Sequence, residues 1–211
     1  MQQLLRIDAS ARHEDSYSRA LGDALVQAAQ TRYPSLRVNS RDLQQTPIEP
    51  IQQATITGFY TPSDQHTAAH RAATALSDHL IGELQRADAL LITTPMYNFS
   101  VPSSLKAWVD QVVRIGHTFS FEDGEFAGLV RADTAFVCCA YGAPGYGAGG
   151  ALRAGNFLEP YLAFLLEFLG IGEISFFSAE ALTADPQTVA DAMAGTRRSI
   201  AEHFGVGDLE R

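Results

Sequence analysis

Three serines and a tyrosine gather in Ala9-Ser10-Ala11-Arg12-His13-Glu14-Asp15-Ser16-Tyr17-Ser18-Arg19, between a short apolar run and a segment of helical periodicity. Hydroxyls beside the free N–H groups of a helix start suit a phosphate monoester. Ordinary helix capping by Ser16 or Ser18 is the alternative. Arg12 and Arg19 could assist a phosphate or serve only as solvated charges on the helix flank. Neither a Gly-x-Gly-x-x-Gly dinucleotide fingerprint nor a Gly-Lys-Ser/Thr P-loop occurs here. A second stretch reads Thr94-Pro95-Met96-Tyr97-Asn98-Phe99-Ser100-Val101-Pro102-Ser103-Ser104-Leu105-Lys106-Ala107-Trp108-Val109-Asp110. Its proline, methionine and two aromatics make a flat apolar wall, and Asn98 with neighbouring amides can hydrogen-bond the edge of a heteroaromatic ring. That surface suits a planar ring with polar atoms along one side, of the isoalloxazine kind; a bare strand–turn–helix corner is the alternative.

Other reactive residues carry less. His66 and His70 lie four apart on an expected helix, but the intervening glutamate of a zinc protease and an obvious third ligand are missing, so no metal is expected. His117 reads as a structural histidine. No Gly-x-Ser-x-Gly elbow is present, which disfavours a serine hydrolase. Cys138 and Cys139 are adjacent within an apolar run; on a strand they point to opposite faces and are poorly placed to bridge each other.

The elements around these stretches alternate. Strands are expected at Leu4–Ala9, Leu36–Ser40, Ala89–Thr94, Thr134–Ala140 and Ile174–Phe177. Helical spacing recurs in Ala20, Leu21, Leu25, Val26 and Ala29, and again in Ala73, Leu76, Leu80, Ile81 and Leu84. Further helices are expected from Pro102 to Ile115, near Pro160 to Leu169, and from Pro186 to Phe204. Residues 44–65, with Pro47, Pro50, Gly58 and Pro62, read as a long irregular arm. The glycine-rich run from Gly142 to Gly150 reads as a mobile lid or a surface loop. Strand–helix alternation implies a parallel sheet covered on both faces, with ligands outside the carboxyl ends of the strands at the switch in strand order. The loops after the first, third and fourth strands are therefore the ones expected to matter.

Composition bounds the rest. The 211 residues, with no composition break or repeat, favour one α/β domain over 1–211. Twenty-four acidic against fifteen basic residues give a net charge of −9, which argues against a nucleic-acid or anionic-membrane partner. Lys106 is the only lysine. Met1 to Asp8 lacks the basic head and apolar core of a signal peptide. The longest apolar region, Tyr161 to Phe177, is broken by Glu167, Gly170, Gly172 and Glu173 and falls short of the ~20 residues of a membrane span. Cytoplasmic residence is the expectation.

The segment 94–110 closely resembles the FMN-binding segment of the FMN-dependent, NAD(P)H-linked azoreductases, or NADH:quinone oxidoreductases. The resemblance extends to the opening strand with its serine loop, to Gly116-His117-Thr118-Phe119, to Glu159-Pro160-Tyr161-Leu162, and to Phe177-Ser178-Ala179-Glu180. It implies a flavodoxin-like, doubly wound five-stranded parallel sheet, a homodimer, and one FMN per subunit. By position, Ser10, Ser16, Tyr17 and Ser18 would hold the phosphate, and Pro95, Met96, Tyr97, Asn98 and Phe99 the ring. The family's third contact, a Ser-Arg-Gly-Gly-like turn, is here Ala140, Tyr141, Gly142 and Ala143: the glycine remains, whereas the serine hydroxyl and the arginine are gone. The implied activity is two-electron reduction of quinones and reductive cleavage of azo compounds by NADH or NADPH through FMN, with ping-pong kinetics and no catalytic side chain. Phe119 and Phe121, with Phe59 and Tyr60, are candidate walls for the acceptor. An FMN-binding electron carrier and a non-catalytic flavin-binding regulator are the rival readings.

Overall fold

A computed structural model describes residues 1–207. Its framework is a five-stranded, wholly parallel sheet in the order β2-β1-β3-β6-β7. The strands are β1 (Gln3–Asp8), β2 (Arg37–Asp42), β3 (Ala89–Pro95), β6 (Thr134–Ala140) and β7 (Glu173–Ala179). Central strands β3 and β6 are apolar almost throughout, as burial on both faces requires. Their side chains alternate between two cores. Leu91, Phe136 and Cys138 face α1 (Tyr17–Arg32) and α6 (Pro186–Phe204), while Leu90, Ile92, Val137 and Cys139 face α3 (Ala68–Gln85), α4 (Ser103–Val112) and α5 (Leu158–Phe168). The two cysteines are free and buried, one in each core. The expected fold is therefore the observed one, with a flavodoxin-like strand order that reverses direction at β1/β3.

Helix α6 shows how this sequence ends a helix when nothing else claims the backbone. Asp185 accepts from the amides of Gln187 and Thr188 at 3.0 and 3.1 Å, Pro186 opens the first turn, and Gly205 closes the helix at φ 63°.

Two expectations change and one element is new. Residues 44–65 are not irregular throughout: α2 (Gln53–Tyr60) forms, with Gln52 and Thr55 exchanging a capping box, and it packs on α3 where Gly58 meets Thr74. An antiparallel hairpin, β4 (Phe119–Glu122) and β5 (Glu125–Gly128), follows α4, turning at Asp123-Gly124 with both residues at positive φ. The buried stripe of α3 runs through Thr74, Ser77, Leu80, Ile81 and Leu84 and leaves Leu76 exposed. Small polar residues take the inner positions because Ser77 donates to the Gln111 carbonyl at 2.6 Å. Among the described residues no helix is long and apolar enough to cross a membrane, and no cluster of three metal-ligating side chains occurs. The rings of His66 and His70 lie edge to face, with His66 Nε2 3.0 Å from the carbonyls of Gly58 and Thr61.

Candidate functional site

At the switch point the segments after β1, β3, β6 and β7 converge on a cleft of about 220 Å³. Backbone bonds bring them together: Ala9 donates to Thr93, Met96 to Ala140 and Tyr141 to Ala179. The cleft wall includes ten of the thirteen anticipated residues: Ser10, Ser16, Tyr17, Ser18, Pro95, Met96, Tyr97, Ala140, Tyr141 and Gly142. Asn98, Phe99 and Ala143 lie outside that wall. Arg12, Asp15, Leu182 and Thr183 join it. The last two follow β7, whose carboxyl end lies on the same edge as the other strands of a parallel sheet; that position was the available signal.

The phosphate side begins at α1. Ser16 occupies the N-cap with extended backbone but makes no side-chain cap bond. Ordinary capping is thus set aside, and the amides of Tyr17, Ser18 and Arg19 have no acceptor among the described residues. Ser10, Ser16 and Ser18 are 3%, 9% and 1% exposed, and the Ser16 and Ser18 hydroxyls lie 3.4 Å apart. Buried hydroxyls and unpaired amides at the positive end of a helix form a donor set for an anion.

Arg19 does not reach into that set. Its guanidinium grips both Asp42 carboxylate oxygens at 2.7 and 2.9 Å and donates to the Ser10 carbonyl at 3.0 Å. Beneath it Asp8 accepts from Thr93 at 2.6 Å and from Arg6 at 2.9 Å. Burial alone would raise the Asp42 carboxyl, but hydrogen bonds from Arg19 and from the Gln44 and Gln45 amides outweigh it and hold it at about 2. The charge network anchors the serine loop from below, and Arg12 is left as the cation at the cleft.

The ring side is a tight turn. Tyr97 and Ser100 exchange backbone bonds at 3.1 and 3.2 Å around Asn98 and Phe99, whose φ values are 46° and 75°. This is the left-handed pair of a primed hairpin turn, natural for asparagine and strained for phenylalanine, at ~1–3 kcal/mol for such a residue. The Phe157 amide holds the strained Phe99 carbonyl at 3.0 Å. Tyr97 also spans the cleft mouth, where its hydroxyl accepts from the Ala11 amide at 3.3 Å.

On the third side Tyr141 is 1% exposed and donates to Glu159 Oε1 at 2.8 Å, an oxygen that also accepts from Ser178 at 2.8 Å. Burial, then Cys139 and Glu159, push the Tyr141 phenol up, so it stays protonated and donates to Glu159. Gly142 faces the cleft with its amide unpaired among the described residues, and its carbonyl accepts from Thr183. A Cβ there would meet Thr183 Cγ2 at 3.3 Å. Within the glycine-rich run, the amides of Gly145 and Gly147 donate to Glu180 at 2.6 Å each, and Tyr146 stacks on Tyr141 at 5.3 Å.

Phe59, Tyr60, Phe119 and Phe121, the anticipated acceptor walls, do not line this cleft within the one chain. Phe119 packs on Phe168 at 4.8 Å, Phe121 on Phe126 at 4.6 Å, and Phe59 lies under Arg114 at 4.7 Å. Burial, and then Arg114, lower the His117 pKa, and its carbonyl accepts from Gln85.

A family model described as flavodoxin-like fold matches residues 2–204. An FMN-dependent NADH:quinone oxidoreductase of Xanthobacter autotrophicus is 52% identical over 174 residues, covering 82% of this chain and 84% of its own. An FMN-dependent NAD(P)H:quinone oxidoreductase of Pseudomonas aeruginosa is 40% identical over 185 residues, covering 85% and 87%. The crystal structure of an azoreductase from Bacillus anthracis shares the fold, with a TM-score of 0.86 over 97% of this chain and 99% of that one at 19% identity. With the match running from Gln2 to Phe204 and such relatives aligned over more than four-fifths of both lengths, the chain belongs to the family of flavodoxin-like fold.

Proposed function

We propose that the chain is an FMN-dependent oxidoreductase that uses NADH or NADPH to reduce quinones by two electrons and to cleave aromatic azo compounds. The uncapped start of α1 carries the reading: three buried serines line the cleft beside three unpaired amides of the first helical turn. FMN matches that donor set at its phosphate, and its ring matches the wall of Pro95, Met96 and Tyr97 opposite the unpaired Gly142 amide. When bound, FMN supplies a two-electron centre between nicotinamide and acceptor. The chain's own residues bind and orient. Ser10, Ser16 and Ser18 would hold the anion, Met96 and Tyr97 would present a flat apolar face, and the Gly142 amide would donate to the ring edge, where negative charge collects on reduction. No side chain needs to move a proton, because the acceptor's protons can come from water. The names of the relatives support the donor and acceptor classes.

A homodimer suits the exposed apolar side chains on the α5 side: Phe126, Phe157 and Phe164 are 62%, 61% and 68% exposed. The cytoplasm suits two unpaired thiols. In the test, FMN-loaded protein is reduced anaerobically by NADH and by NADPH, then reoxidised with a quinone and an azo dye, with initial rates giving parallel double-reciprocal lines. Intersecting lines refute the ping-pong scheme. FMN uptake without reduction by either nucleotide favours an electron carrier, and no yellow absorbance with FMN sinks every flavin reading.

A further inference from the structure

Between α1 and α6 lies a second hollow, of about 800 Å³, larger than the cleft and continuous with it. Arg12, Asp15, Ser16, Tyr17 and Leu182 line both. Nothing in the cleft's chemistry requires this groove. We propose that it binds the adenosine diphosphate half of the nicotinamide donor, a subsite that rests on the proposed NAD(P)H-linked activity.

The groove presents the three kinds of surface a nucleotide needs. Leu182, Val189 and Met193 give an apolar floor, with a polarisable thioether suited to a flat base. Arg12 and Arg197 line it and make no side-chain hydrogen bond or ion pair among the described residues, so both are free for phosphate oxygens. Asp15 offers a carboxylate to a ribose diol. The remaining charges are committed elsewhere: Asp23 holds Arg6 at 2.6 Å, and Arg19 holds Asp42. On a chain of net charge −9 the groove thus keeps two free guanidiniums against one free carboxylate.

Continuity with the cleft selects the occupant. A donor whose nicotinamide reaches a ring beside Met96 must place its other half outside, and the groove is the hollow that shares a wall with the cleft. Arg12 lines both hollows, so its guanidinium would offset the repulsion between a phosphate in the cleft and a diphosphate in the groove.

The test compares NADH with reduced nicotinamide mononucleotide, which lacks the adenylate, and adds ADP as a ligand that cannot donate electrons. ADP should bind the FMN-loaded protein measurably by calorimetry and compete with NADH. Arg197→Glu should weaken ADP and raise KM for NADH roughly tenfold, the effect of one lost charge-assisted contact. KM for the mononucleotide and the FMN dissociation constant should not move. Equal KM rises for both donors, or no ADP binding, overturn the proposal. Tighter binding of FAD than FMN, abolished by Arg197→Glu, also overturns it and gives the groove to the flavin. FMN uptake is measured separately, so failure of the flavin reading is distinguishable from failure of this one.

Discussion

Asp42→Asn isolates what the charge network does for the serine loop. The wild-type carboxyl is held at about 2 instead of near 3.8. At ~1.36 kcal/mol per pH unit that difference corresponds to roughly 2.4 kcal/mol of folding stability. The side chain is 14% exposed, so some screening applies and about 2 kcal/mol is the working magnitude. Because the folded carboxyl titrates below the unfolded one, this stabilisation is complete above about pH 4, drains away as pH falls toward 2, and is absent below that. The asparagine variant lacks the charge at every pH. Urea titrations of the apo-protein should therefore show the variant about 2 kcal/mol less stable at pH 7, with Tm lower by about 4–8 °C. The gap should narrow only below about pH 4. Arg19, half released, should also hold the Ser10 carbonyl less firmly, so FMN should bind roughly fivefold more weakly, the worth of about 1 kcal/mol. A gap under about 0.5 kcal/mol at pH 7, or one that persists at pH 2, refutes the reasoning.

Ser16→Ala with Ser18→Ala should weaken FMN by roughly tenfold or more while lowering apo-protein stability by under about 1 kcal/mol, because Ser16 makes no cap bond to lose. Fluorescence titration and urea melts of one preparation check both halves. Glu180→Gln removes the charge from two short amide bonds, so hydrogen exchange at Gly145 and Gly147 should accelerate about tenfold while exchange in β6 stays slow.

Much of the fold was legible because strand and helix periods alternate cleanly, and because β3 and β6 are continuous apolar runs of a kind only a sheet covered on both faces buries. Helix α2 was hidden: Thr55, Thr57 and Gly58 carry little helical propensity, and the helix exists by packing on α3. The stripe of α3 was misread toward Leu76 because hydrophobicity cannot announce that Thr74 and Ser77 face a glycine and a carbonyl. At the site, the segment order exposed the serine loop and the Met96–Tyr97 wall. The commitment of Arg19 to Asp42 was not legible, since it joins β2 to α1 across 23 positions. Likewise Glu180 lies 33 to 35 positions from the glycines whose amides it accepts from, so the loop's anchoring has no local signal.

The two cysteines carry one more consequence. A reducing centre in air generates peroxide, and peroxide oxidises thiolates far faster than thiols. Burial pushes the Cys139 thiol up to about 12, with Glu159 adding, and Cys138 is likewise raised by burial. Both sulfurs are sealed in the sheet, on opposite faces, too weakly ionised to react and turned away from each other. The protein can thus handle electrons in air without recording the exposure in its cysteines, and its activity should outlast peroxide treatment that inactivates enzymes with an accessible thiolate.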